Sequence, residues 1–237
     1  MTGSRPGRIW GLVAAQAARR GGRVSAADAC VAAVAAVRVT GAWLIAGDGE
    51  AGHVMCATDE VSELLAELQL TLGEGPGPDA RARGGPVLAS DLGDPGSARR
   101  WPVFAPAAAQ AGAAAVFVFP LQVGAIQAGV MGLYRERAGP LSGPELGDAL
   151  VFADTATLLL LDGPGGQPAG LAVHRAEIDQ ATGMLTEQLG VGIAEAFIRL
   201  RAYAYAHDRR LSDLARDIVA RRLRLRPDPD PLEDGQP

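Results

Sequence analysis

Apolar residues recur along this chain at two spacings, every second position or every third to fourth, and each change of spacing marks an element. In "AADACVAAVAAVRV" small apolar residues repeat at helical spacing on more than one side, and Ser25 followed by Asp28 three residues on has the form of a capping box. A buried helix is predicted. "GAWLIAGD" and "HVMCAT" are short, apolar or alternating, and the intervening "GDGEAG" tolerates positive φ, so they predict a β-hairpin. Thr58 is placed to cap the next helix, with Glu60 in its first turn and Val61, Leu64, Leu65, Leu68 and Leu72 on a core-facing side. "GEGPGP" stops that helix. A loop region through "GGPVLASDLGDPGSARRWP" then leaves room for one short strand at Val87–Ala89.

Past Trp101 a short helix is predicted in "WPVFAPAAAQAG", its length limited by Pro102 and Pro106. "AAVFVFPLQV" and "IQAGVMGLYRE", rich in β-branched and aromatic residues around Gly124–Ala125, form a second hairpin. Ser142 with Glu145 at the third helical position opens a long helix carrying Leu146, Leu150, Ala153, Thr157 and Leu161 along one stripe. The order helix, strand, strand, helix, loop, helix, strand, strand, helix is that of an antiparallel sheet flanked by helices, an α+β class. A Gly/Pro-rich break at 163–170 ends it.

Beyond the break the period stays helical. Ile178, Ala181, Met184, Leu185 and Leu189 form one stripe; Gly190 and Gly192 interrupt; Ile193, Ala196, Phe197, Leu200 and Ala204 form a second; Leu211, Leu214, Ala215, Ile218 and Val219 form a third. The expected organisation is an N-terminal extension at 1–24, a sensor-sized domain at 25–162, a linker at 163–170, an all-α three-helix module at 171–226 and an acidic, proline-punctuated tail at 227–237.

Charge separates the halves. The chain carries net −5, yet Leu171 to Arg226 holds ten arginines against seven carboxylates, while Met1 to Gly170 holds twelve against sixteen. All 22 basic residues are arginine, and the absence of lysine removes Schiff-base chemistry and the P-loop lysine from consideration. Cys30 and Cys56 fall inside apolar segments and read as small buried hydrophobes, which suits a reducing cytoplasm. "RPGRIWGLVAAQAARRGG" lacks a small-residue cleavage pattern, and the later run "TATLLLL" is far short of the roughly 20 residues a membrane span needs, so a soluble cytoplasmic chain is expected.

Several chemical signals dissolve on inspection. "GEGPGP" resembles a phosphate loop, but Pro76 and Pro78 lack the N–H groups such a loop needs and Glu74 repels anions. His53, His174 and His207 are isolated and point to no metal site. Asp59, Glu60, Glu63 and Glu67 read as the solvent side of a helix, and no nucleophile elbow appears, so no catalytic residue and no enzyme activity is proposed from sequence.

The arginines of the last module, Arg199, Arg201, Arg209, Arg210, Arg216, Arg221, Arg222, Arg224 and Arg226, are interleaved with Tyr203, Tyr205 and His207. Guanidinium groups gathered on one outer wall, with flat rings between them, suit looped or single-stranded nucleic acid. "IDQATGML" and "EAFIRLRAYAYAHDRRLSDLARDIV" resemble the ANTAR domain, a three-helix RNA-binding module of bacterial transcription antiterminators, matching it at Ala181, Gly183, Leu185, Ala196, Leu200, Arg201, Ala204, Leu211 and Ala215. The resemblance implies that a dimer occupies RNA hairpin loops in nascent transcripts, one loop per module, and so excludes a terminator. The candidate contacts are Ala181, Thr182 and Gly183 of the first helix, Arg201, Arg209 and Arg210 for phosphates and base edges, and Tyr205 for stacking. Many members carry a lysine where this chain has Thr182, so no cation is available from that position.

"LQLTLGEGPGPDA", "ARRWPVFAPAAAQAGAAAVFVFPLQVG" and "GVMGLYRERAGPLSGPEL" resemble GAF domains of actinobacterial regulators over residues 25–162. This implies a sensor fold with a small-molecule pocket between the sheet and the overlying loops. Trp43, Met55, Trp101, Phe117, Phe119, Met131 and Tyr134 are the candidate lining residues; they name neither ligand nor cofactor. Two alternatives stay open. "LSDLARDIVARRL" has the form of the first helix of a DNA-binding helix-turn-helix, although "PDPDPLEDGQP" supplies no recognition helix and duplex DNA is disfavoured; or the tail only dimerises, with the helix from Ser142 as seam.

Overall fold

The computed structural model describes residues 4–47, 52–161, 169–207 and 209–225. The chain forms two compact units, Met1–Leu171 and Ala172–Pro237. The tail at 227–237, and the linker at 163–170 apart from the backbone of Ala169 and Gly170, lie outside the described residues.

In the first unit five antiparallel strands, β1 (Gly41–Ala46), β2 (His53–Ala57), β3 (Val87–Ala89), β4 (Ala115–Val123) and β5 (Ile126–Arg135), lie in the order β2-β1-β5-β4-β3. Both hairpins fall where the alternation places them, and Gly124, at φ +59°, makes the second turn. The pleat sends successive side chains to opposite faces. Leu44, Phe117, Phe119, Met131 and Leu133 pack on one side beneath α1 (Arg5–Arg20), α2 (Ala26–Val37) and α7 (Gly143–Leu161). Trp43, Ile45, Val116, Val118, Val130 and Tyr134 pack on the other against α3 (Glu60–Leu72), α4 (Pro76–Arg83) and α6 (Phe104–Gln110).

The helix-start chemistry holds at two of three sites. The Ser25 backbone N–H donates to the Asp28 carboxylate at 2.9 Å, and at the start of α7 the Ser142 N–H donates to the Glu145 carboxylate at 2.8 Å while the Glu145 N–H donates to the Ser142 hydroxyl at 3.4 Å. At α3 the cap is Asp59, which accepts the Ser62 N–H at 2.7 Å, because the Thr58 hydroxyl is already taken by the Ala42 N–H of β1. Asp59 is therefore half-buried and bonded to its own helix, and Glu67 is buried, so two of the four carboxylates expected on the water side of α3 do not simply face solvent.

Three helices went unread. Within the extension expected at 1–24, α1 is capped by Ser4 and buries Ile9, Val13 and Ala17, the first two in the core that also takes residues of α2 and α7. The segments treated as loop contain α4 and α5 (Pro95–Arg100), each opening with proline at its first position, where the missing N–H costs nothing. Glu74 has a structural task, accepting the backbone N–H groups of Val103 and Phe104 at 2.9 Å each.

Arg20 binds α1 to α2 by donating two hydrogen bonds to Asp28, 3.0 and 2.8 Å long. Burial pushes the Asp28 carboxyl up, but the bonds from Arg20 and Ser25 outweigh it and hold the group below its ordinary value. A depressed carboxylate contributes stability that is complete above the unfolded value and disappears as pH falls through the folded one. Asp28→Ala should therefore cost about 2 kcal/mol at neutral pH, from the lost cap and the orphaned Arg20. In urea denaturation followed across pH, that gap should close below about pH 4; a gap independent of pH would contradict the role assigned to the charge.

Candidate nucleic-acid interface

The second unit consists of α8 (Ala169–Leu189), α9 (Ile193–Ala206) and α10 (Leu211–Val219). Gly190, at φ +68°, closes α8 as its spacing foretold. Ala181, Leu185, Ala196, Leu200, Ala204, Leu211, Leu214, Ala215 and Ile218 form one core, so the three stripes do meet. Ile193 departs from its stripe and is 71% exposed.

The candidate contact residues separate into buried and exposed sets. Ala181 is core, and Thr182 is buried with its hydroxyl donating to the Ile178 carbonyl at 2.8 Å; of the first-helix trio only Gly183 reaches the surface. On α9, Ile198, Arg201 and Tyr205 fall at i, i+3 and i+7 and share one outward face. Tyr205 is 57% exposed, whereas Tyr203 is half-buried and stacks on His207 at 3.8 Å, whose ring nitrogen lies 3.0 Å from the Tyr203 carbonyl. Arg201 lies 5.7 Å from the Phe197 ring. Arg210 is exposed at the start of α10, where its carbonyl accepts the Leu214 N–H.

Not all guanidinium groups stand on a common free wall. Arg209 pairs with Asp217 at 2.5 Å, and the same carboxylate takes Arg222 at 2.7 Å. Hydrogen bonds from Arg209 and then Arg222 hold the Asp217 carboxyl below its ordinary value. Arg199 pairs with Glu195, and Arg216 with Asp213 and Glu177. Arg221 and Arg224 make no ion pair among the described residues and flank a groove of about 390 Å³ floored by Met184, Ile218 and Leu223. In sequence these two are members of the basic set with nothing to distinguish them. Arg221 owes its position to a left-handed backbone, φ +57°, that ends α10, and no spacing announces that.

The seven candidate pocket residues do not converge. Met55, Phe117, Phe119 and Met131 lie under α1, α2 and α7, while Trp43, Trp101 and Tyr134 lie across the sheet beside α3, α4 and α6. On that second side the Trp101 indole donates to Asp79 at 3.2 Å and the Tyr134 hydroxyl to Asp59 at 3.2 Å. The Trp43 indole N–H is buried with no hydrogen-bond partner. Among the described residues no group of three or more His, Cys, Asp or Glu is placed to hold a metal ion, and no helix is long and apolar enough to cross a membrane.

The family model of the ANTAR domain matches residues 172–219, the stretch that forms this three-helix core. An ANTAR domain therefore lies at 172–219 of the C-terminal unit. The helices α8, α9 and α10 are thus the ANTAR helices, and their exposed faces carry Gly183, Arg201, Tyr205 and Arg210. No curated protein matches the chain in sequence. Among solved structures, the GAF domain of a phosphoenolpyruvate-protein phosphotransferase from Coxiella burnetii is 13% identical, covering 67% of this chain and 96% of that one with a TM-score of 0.50. The corresponding domain from Acinetobacter is 11% identical over 65% of this chain and 94% of that one, with a TM-score of 0.46. The sheet and its flanking helices therefore have the GAF fold, and the chain joins a GAF-like unit to an ANTAR domain.

Proposed function

We propose that this chain is a cytoplasmic, non-enzymatic, RNA-binding antitermination regulator, in which the GAF-like unit senses a signal and the ANTAR domain binds hairpin RNA as a dimer. The ANTAR match over 172–219 carries the reading. The surface supports it: Arg201 and Tyr205 offer a guanidinium and an exposed ring one helical turn apart, and Arg210 stands at the head of the next helix. Arg209 enters as an exchange, its bond to Asp217 giving way to phosphate. Ala181 and Thr182 serve by packing rather than by contact. A dimer seam along α7 is favoured by Leu150, Leu158 and Leu161, exposed on one stripe of that helix. For a small-molecule signal, the unmet Trp43 N–H on the α3 side of the sheet is the donor a ligand acceptor would satisfy.

Binding should be read by anisotropy of a labelled two-hairpin RNA across a salt series, with unlabelled duplex DNA as competitor. Replacing Arg201 and Arg210 together by alanine should weaken binding roughly 10-fold or more near 0.1 M salt and lower the salt slope by about 2. Two chains per two-hairpin RNA is the expected stoichiometry. Unchanged affinity and slope, or equal competition by duplex DNA, would remove the RNA reading.

A further inference from the structure

The groove of about 390 Å³ between α8 and the segment after α10 has Met184, Ile218 and Leu223 for a floor and Arg221 and Arg224 beside it. Both arginines are exposed and make no ion pair among the described residues, whereas Arg199, Arg209, Arg216 and Arg222 of the same unit each meet a carboxylate. Such a floor with such a rim fits an acidic peptide that carries an apolar side chain. A polynucleotide fits it less well, because Glu187 lines the α8 side and an apolar floor offers phosphate no partner.

The chain itself contains a peptide of that kind. Leu225 is buried, its carbonyl accepts a hydrogen bond from the Gln188 side chain, and Gln188 lines the groove, so the residues that follow leave from its edge. They include "PDPDPLEDGQP" at 227–237, with four carboxylates, no cation and one leucine. We propose that this acidic tail docks in the groove of its own ANTAR unit, setting Asp228 and Asp230 against Arg221 and Arg224 and Leu232 on the apolar floor.

The tether makes a weak contact sufficient. Held at the groove's edge, the tail meets it at an effective concentration on the order of millimolar, and the fixed φ of Pro227, Pro229 and Pro231 lowers the entropy lost on docking. At about 3.1 Å per residue in the extended proline conformation, Asp228, Asp230 and Leu232 reach up to roughly 9, 15 and 22 Å from Leu225. Met184 and Gln188 stand one helical turn apart, about 6 Å, so each of the three has chain enough. Glu187 leaves the carboxylates the arginine side of the groove.

Docking has an electrostatic consequence. Leu171 to Arg226 carries ten arginines against seven carboxylates, an excess of three, and the four carboxylates of the tail cancel it. The seated tail would therefore weaken the attraction for phosphate, and removing 227–237 should tighten RNA binding several-fold at low salt. That consequence rests on the proposed function; the docking does not, and its test contains no RNA.

In the full chain Leu232 is replaced by the photocrosslinker benzoylphenylalanine, which inserts into neighbouring C–H bonds and prefers those beside a thioether sulfur. After irradiation the chain is digested and the joined peptides are identified by mass spectrometry. Crosslinks should lie within one chain and concentrate at Met184 and in 218–224. Asp228→Asn with Asp230→Asn, which leaves the helical core untouched, should lower their yield several-fold. Arg221→Gln with Arg224→Gln should do the same, as should raising salt from about 0.05 to about 0.5 M in the parent chain. Crosslinks scattered over both units, directed to the Arg201–Tyr205 face, or joining two chains would overturn the proposal. So would a yield indifferent to these charges and to salt.

Discussion

Leu200→Ala should unfold the C-terminal helices while the GAF-like unit stays folded. Leu200 is fully buried at the centre of a core built from three short helices. Truncating such a residue costs about 3 kcal/mol or more, through lost transfer energy and the cavity left behind. A unit of roughly 50 residues has little more stability than that to lose. Hydrogen exchange should show protection vanishing across α8, α9 and α10 and persisting in β1, β4 and β5, since the two units have separate cores. Leu200→Met, which keeps the volume, should preserve both. Loss of protection in β1 and β5 alongside α9 would show that the units fold as one.

Gly132→Ala should destabilise the sheet strongly. Gly132 sits on β5 directly opposite Trp43 of β1 and beside Val118 of β4. An added Cβ would overlap the Trp43 ring, which is fully buried and has nowhere to move. Overpacking of this kind costs about 3 kcal/mol, a fall of roughly 6–12 °C in the melting temperature of a domain this size. Trp43→Leu in the same chain should recover part of the loss, because it removes the ring that the methyl strikes. Additive losses in the double variant would mean that the clash is relieved elsewhere.

Most strands and long helices were legible because their signals are local. Alternation fixed both hairpins, and the Ser25/Asp28 and Ser142/Glu145 pairs fixed two helix starts. What failed depended on context. Pro76 falls in a segment that stops one helix and Pro95 in a segment expected to be loop, yet each begins a helix, since only the residues after a proline reveal which it is. Ile9, Val13 and Ala17 do lie at helical spacing, but amid glycine and arginine that stripe becomes a core only once α2 and α7 are there to receive it. The candidate pocket held an error that period alone would have caught: Met131 and Tyr134 are three apart on one strand and cannot share a face. In the ANTAR domain the exposed Arg201–Tyr205 face follows from helix phase, whereas the Arg209–Asp217 bond joins a loop to the middle of α10 and has no local signature.

The first helix governs where the sensor half can be trimmed. A version starting at residue 25, the boundary that composition recommends, would strip the lid from α2 and α7, baring an oily seam and leaving the Asp28 carboxylate without its cation. Such a fragment is set to clump or to pair spuriously through the uncovered strip. Work on this half alone belongs with the chain from Ser4 onward, and any association seen in a shorter piece should be charged to the cut before it is credited to biology.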